Sequence, residues 1–81
     1  MATYAVAMSS DDLEVPIRGE SIRLGQLLKF AGVVDDGATA REAIERGLVE
    51  VNGVVETRRG AQCRVGDEVR YAGALLRLTP S

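Results

Sequence analysis

Residues 36–53, Asp-Gly-Ala-Thr-Ala-Arg-Glu-Ala-Ile-Glu-Arg-Gly-Leu-Val-Glu-Val-Asn-Gly, constrain the fold of this chain more tightly than any other stretch. Asp36 can accept hydrogen bonds from the free N–H groups of a first helical turn, which makes it a good N-cap. Ala40, Ala43 and Ile44 recur at helical spacing and define one small apolar face. Arg41 and Glu45 stand four apart on a different face, and Gly47 supplies the left-handed conformation that closes helices. The period then changes to two, with Val49 and Val51 facing one way and Leu48 and Glu50 the other. Asn52-Gly53 predicts a type I′ hairpin turn, which needs positive φ at both central residues. The segment thus predicts a short capped helix feeding a hairpin.

The remaining chain supplies what this unit packs against. Residues 1–12 lack a clear period and are expected to form an irregular arm. Residues 13–17 alternate like a strand, and Pro16, without an N–H, places that strand at a sheet edge or beside a bulge. A first helix is expected over 24–31, with Leu24, Leu27, Leu28 and Ala31 on its apolar face and Gly32 ending it. Val33-Val34 folds back before the Asp36 cap. After the hairpin, residues 57–62 read as a basic loop, with an apolar piece at Cys63 and Val65. Gly66-Asp67 makes a second turn, 68–71 a strand, Ala72-Gly73 a third turn and 75–78 a last strand. The expected architecture is a single α+β domain over 13–79: two short helices packed on a small, mostly antiparallel β-sheet.

Composition excludes several functions. Among 81 residues there is no His, so the commonest general base and metal ligand is missing. The lone Cys63 rules out an internal disulfide, a zinc quartet and a dithiol redox motif, and it points to the cytoplasm. As a small apolar strand residue it needs no reactive role. The pairs Asp11-Asp12 and Asp35-Asp36 read as turn and cap chemistry. Neither catalysis nor a cofactor nor a metal site is expected. No apolar run approaches the ~20 residues of a membrane span, and no basic stretch precedes an apolar run at the N-terminus, so no signal peptide is expected.

Ten basic against twelve acidic residues give a net charge of −2, so no global field draws in nucleic acid. The cations are nevertheless clustered: Arg58, Arg59 and Arg64 lie in an acid-free stretch at 57–65. With Lys29 and Arg41 they form the candidate anion-binding set, because Arg forks grip phosphate in bidentate fashion. Gly37 joins them at the start of the second helix, where unpaired N–H groups suit an anion and a missing side chain permits close approach. A solvated surface loop and a tolerated first-turn glycine are the plain alternatives. Phe30 is expected in the core and Tyr71 in a late strand. Aromatic stacking platforms are then nearly missing, which favours structured RNA read by shape and phosphate.

The run 40–47, Ala-Arg-Glu-Ala-Ile-Glu-Arg-Gly, followed by Leu-Val-Glu-Val-Asn-Gly and then Val-Gly-Asp-Glu-Val at 65–69, resembles the RNA-binding domain named after ribosomal protein S4. Leu-Gly-Gln-Leu-Leu-Lys at 24–29, Asp-Gly-Ala-Thr-Ala-Arg at 36–41 and Val-Glu-Thr-Arg-Arg at 55–59 are similar to its small stand-alone bacterial members, the YbcJ-like proteins. The resemblance covers about residues 13–78. It implies an αL motif, a helix pair with an adjoining hairpin, that binds structured RNA such as ribosomal or transfer RNA, alone or on a ribosomal particle. Members of the wider family open the second helix with Ser-Arg. Asp36-Gly37 stands there in this chain, so no phosphate-binding Arg is carried over to that position. Gly60, Ala61 and Gln62 also interrupt the basic run that follows Arg59.

Two other readings stay open at this level. One is a protein-interaction module on the same fold. The other is a β-grasp sulfur carrier, which Val-Asn-Gly and Gly-Asp-Glu-Val also resemble. A sulfur carrier acts through a C-terminal Gly-Gly, whereas this sequence closes on Leu-Thr-Pro-Ser. A monomer is expected.

Overall fold

The computed structural model describes residues 12–81. In chain order the elements are β1 (Asp12–Ile17), β2 (Ser21–Arg23), α1 (Leu24–Phe30), α2 (Gly37–Glu45), β3 (Val49–Val51), β4 (Val54–Val55), β5 (Gln62–Arg64), β6 (Glu68–Tyr71) and β7 (Ala74–Pro80). Five strands form one sheet in the order β1-β7-β6-β3-β4, and β2 and β5 form a separate antiparallel pair. Among the described residues only the β1–β7 pair is parallel. The architecture is therefore α+β with a mostly antiparallel sheet. Two short helices take the place of the single long helix of a β-grasp domain. Apart from Asp12, which opens β1, the expected N-terminal arm lies outside the described residues.

Both helices stop by the same device. At the end of α2, Gly47 adopts φ +77°, its N–H donates to Ile44 O at 3.0 Å, and the Leu48 N–H donates to Ala43 O at 3.0 Å. At the end of α1, Gly32 also has φ +77°, with Gly32 N–H to Lys29 O at 3.0 Å and Val33 N–H to Leu28 O at 3.2 Å. These paired bonds are the Schellman closure, which a residue with a Cβ adopts at a cost. The stop after α1 aims Val33-Val34 back at the core, where Val34 is buried.

One apolar layer joins helices to sheet. Leu24, Leu27 and Leu28 of α1 and Ala40, Ala43 and Ile44 of α2 are buried against Val15, Ile17, Val49, Cys63, Val69, Leu76 and Leu78. Strand alternation selects that set: in β7, Leu76 and Leu78 point inward while Arg77 between them is exposed. Pro16 sits in the edge strand, as its missing N–H requires. The last strand runs longer than its apolar pattern indicates, because β1 pairs with it from Leu75 to Pro80. Phe30, expected in the core, is 62 % exposed. At about 100° per residue it lies roughly 60° beyond Leu27, at the margin of the Leu24–Leu27–Leu28 stripe and on the side of Gln26.

Two turns have positive φ at both central residues. In the first, Asn52 has φ +52° and Gly53 +85°, as the Asn-Gly pair predicts. Asn52 is held there by its side chain: Oδ1 accepts from the Glu68 N–H at 2.9 Å and Nδ2 donates to Asp67 Oδ1 at 3.1 Å. The β3–β4 hairpin is thereby tied to the turn before β6. In the second turn, Ala72 has φ +52° and Gly73 +85°. An Ala Cβ is strained there, whereas Asn tolerates the conformation. Ala72→Asn should raise the melting temperature by several degrees, since about 1 kcal/mol corresponds to about 4–8 °C in a domain of this size. Gly53→Val should lower it, because a β-branched residue cannot occupy that φ without strain. Thermal denaturation followed by circular dichroism checks both signs. A lower melting temperature for Ala72→Asn would contradict the turn geometry.

Candidate nucleic-acid interface

The site is built around an uncapped helix end. Arg23 occupies the N-cap position of α1 and makes no side-chain cap bond. Two free helical donors are satisfied instead by the distant loop before β5: Leu24 N–H donates to Ala61 O at 2.8 Å and Gly25 N–H to Arg59 O at 3.1 Å. The β2–β5 ladder brings the loop there by pairing Ile22 with Cys63 and Arg23 with Gln62. Gly25 allows the close approach, since a Cβ on it would stand 3.2 Å from Arg59 Cγ and 3.7 Å from Arg59 O. The α1 donors thus face carbonyls rather than an anion.

The start of α2 is arranged differently. Asp36 Oδ1 accepts from the Thr39 N–H at 2.8 Å, which is the expected cap. That bond, with the Thr39 hydroxyl, the Ala38 N–H and the Lys29 ammonium, holds the Asp36 carboxyl below the usual carboxylate range. The cap therefore stabilises α2 above the ordinary carboxylate pKa, and this contribution is lost as pH falls through the lowered value. A Cβ added to Gly37 would meet nothing within 4 Å, so packing gives no reason for glycine there.

Between these two helix starts and the loop lies a groove of about 620 Å³. Arg23, Gly25, Gln26 and Lys29 line one wall, Gly37, Ala38 and Arg41 another, and Arg59 and Gly60 the third. Four cations converge on it, and no carboxylate is among its lining residues, the Asp36 carboxylate being turned to the Thr39 N–H beside Lys29. Ion pairs among the described residues join Glu42 to Arg46 at 3.2 Å, Glu56 to Arg58 at 3.0 Å and Glu68 to Arg77 at 3.2 Å. Arg23, Lys29, Arg41 and Arg59 take part in none of them. On α2 the pair that forms is Glu42–Arg46, with the acid N-terminal to the base, which is the favoured orientation. Arg41, which would have to pair with Glu45 in the reverse sense, is left to the groove.

Of the candidates read from the sequence, Lys29, Gly37, Arg41 and Arg59 line the groove, and Arg58 and Arg64 do not. Arg58 is held by Glu56, which accepts from Arg58 Nε at 3.0 Å, from Nη2 at 3.2 Å and from the backbone N–H at 3.0 Å. Arg64 lies at the opposite end of the β2–β5 ladder from Arg23, paired with Ser21. Its N–H donates to Asp67 Oδ2 at 2.8 Å. Sequence reasoning missed Arg23, although its place directly before the first helix is the signal that could have found it. Burial, with the Asp67 and Glu56 carboxylates, pushes the Cys63 thiol up to about 11, so it stays protonated and inert at neutral pH. Among the described residues, no group of three His, Cys, Asp or Glu side chains could hold a metal ion, and no helix is long and apolar enough to cross a membrane.

Paired short helices, a following hairpin and a cationic groove at the helix starts define a small αL-type domain. The S4 domain family matches residues 15–79, and this chain belongs to that family. YbcJ of Escherichia coli K12 is 42 % identical over 52 residues, covering 64 % of this chain and 74 % of YbcJ. The solution structure of E. coli YbcJ, described as revealing an αL motif involved in RNA-binding, superposes with a TM-score of 0.60 at 31 % identity, covering 86 % of this chain and 87 % of that one. A Bacillus subtilis protein named "Probable ribosome maturation protein RlbA" is 39 % identical over 59 residues, covering 73 % of this chain and 83 % of its own length. A tyrosine–tRNA ligase of Burkholderia lata is 34 % identical over 64 residues, which span 78 % of this chain and only 16 % of the ligase.

The two glycines at the groove separate close packing from open space. Gly37→Ala should gain helix propensity, up to about 1 kcal/mol, and raise the melting temperature. Gly25→Ala gains the same propensity but presses on Arg59, so its melting temperature should rise less or fall. Equal gains from both substitutions would contradict the close contact between α1 and the loop.

Proposed function

We propose that this chain is a non-catalytic RNA-binding module that grips structured RNA by its phosphates in the groove between the starts of α1 and α2. The observation that carries the reading is the convergence of Arg23, Lys29, Arg41 and Arg59, none in an ion pair among the described residues, on a carboxylate-free groove of a chain whose net charge is −2. Such a local patch attracts phosphate only where the duplex fits the groove, and the acidic body repels it elsewhere. Gly37 keeps the α2 start open, so that a phosphate can approach its backbone N–H. This reading assigns the principal contacts to those four cations and to Gly37, with Arg58 and Arg64 at the margin.

The RlbA relative favours ribosomal RNA, on a ribosomal particle in the cytoplasm, and the ligase relative makes transfer RNA the second choice. Residues 13–79 act as one unit, and a monomer suffices, because all the groove residues come from one chain.

Binding to an RNA stem-loop across a salt series tests the proposal. Each phosphate neutralised on a duplex contributes about −0.9 to the log–log salt slope, so four contacts predict a slope near −3.6. Arg41→Gln with Arg59→Gln should weaken binding and flatten the slope by about 2. Arg46→Gln with Arg70→Gln removes the same charge away from the groove and should leave the slope unchanged. Equal losses from the two pairs, or no binding by the unsubstituted protein, would overturn the proposal.

A further inference from the structure

Helix α1 ends on Phe30, the one phenylalanine of the chain, and that ring is 62 % exposed beside Lys29. A single exposed apolar side chain is ordinary on a protein surface and assigns nothing by itself. The position of this one is more informative. A hollow of about 400 Å³ is lined by Ile22, Gln26, Lys29 and Phe30. Gln26 and Lys29 also line the cationic groove, so the two depressions share a wall. Gln26 and Phe30 are one helical turn apart and lie on the same side of α1. A second hollow, of about 560 Å³, also includes Ile22 and Phe30, with Arg18 and the last residue, Ser81, in its lining.

We infer that Phe30 is a stacking platform for one unpaired nucleobase of the same RNA whose phosphates occupy the groove. The inference rests on the RNA reading above and adds a specificity to it. Bases within an A-form stem are stacked and hidden, so a side chain beside the groove reaches only a base extruded at a bulge, loop or end. Lys29 links the two subsites: a phosphate held by its ammonium belongs to the nucleotide next to the one over Phe30. An aromatic face stacks on any base, and the amide of Gln26 offers both a donor and an acceptor to the base edge. The cations of the adjoining groove suit an RNA strand better than an apolar peptide segment.

Two RNA hairpins with the same stem test this, one fully paired and one with a single bulged 2-aminopurine nucleotide, each titrated with the full chain. The unsubstituted protein should bind the bulged hairpin more tightly and quench its 2-aminopurine fluorescence. Phe30→Ala should lose about 5-fold or more in affinity for the bulged hairpin alone, with the quench abolished and the salt slope unchanged. Phe30→Trp should retain both the preference and the quench. The exposure of Phe30 predicts an unchanged melting temperature for Phe30→Ala. Equal affinity of Phe30→Ala and unsubstituted protein for the bulged hairpin, or an equal loss on both hairpins, would overturn the stacking inference and leave the groove reading standing. Failure of the unsubstituted protein to bind either hairpin would overturn both.

Discussion

Two backbone hydrogen bonds, from Leu24 N–H to Ala61 O and from Gly25 N–H to Arg59 O, hold the walls of the groove together. Without a side-chain cap, α1 begins with unsatisfied donors, and burying such donors unpaired is costly. The loop before β5 satisfies them and is fixed in turn. One contact therefore completes a helix and places Arg59 and Gly60 opposite α2. The β2–β5 ladder supports it by setting Arg23 beside Gln62, so the groove and the fold share the same bonds.

A second lock fixes the hairpin. Asn52 reaches across to Asp67 and Glu68, joining the Val-Asn-Gly and Val-Gly-Asp-Glu-Val segments through side-chain bonds. Asp67 also accepts from the Arg64 N–H, so one acid closes its own turn and anchors the neighbouring one. The sheet thus carries rigid turns behind the helix pair. The start of α2, with Arg41 one turn inside it, and Lys29 in the last turn of α1 are left facing the groove.

Local chemistry made much of this legible in the sequence. The Asp36 cap, the Gly47 stop, the positive φ of Asn52-Gly53 and the edge position of Pro16 each follow from one residue and its immediate neighbours. What the sequence did not reveal depends on distant partners or on orientation. The cap of α1 comes from residues some 35 positions away along the chain, and nothing in Leu24-Gly25 indicates it. The acid-free window at 57–65 stops one residue short of Glu56, the group that holds Arg58. Arg23 enters the site only through the register of β2 against β5. Phe30 is a different case: the helical angle places it at the margin of the apolar stripe, and the habit of burying aromatics led the other way.

The central claim is that RNA is held in the groove formed by the starts of α1 and α2 and the loop at 59–60. The most direct measurement is a titration of isotopically labelled protein with an RNA stem-loop, followed through backbone amide resonances. The account predicts that shifts concentrate at residues 23–29, 37–41 and 59–60, while β4 and Leu48 on another face stay unchanged. Shifts concentrated instead at Leu48, Val54 and Val55, three exposed apolar residues away from the groove, would contradict it.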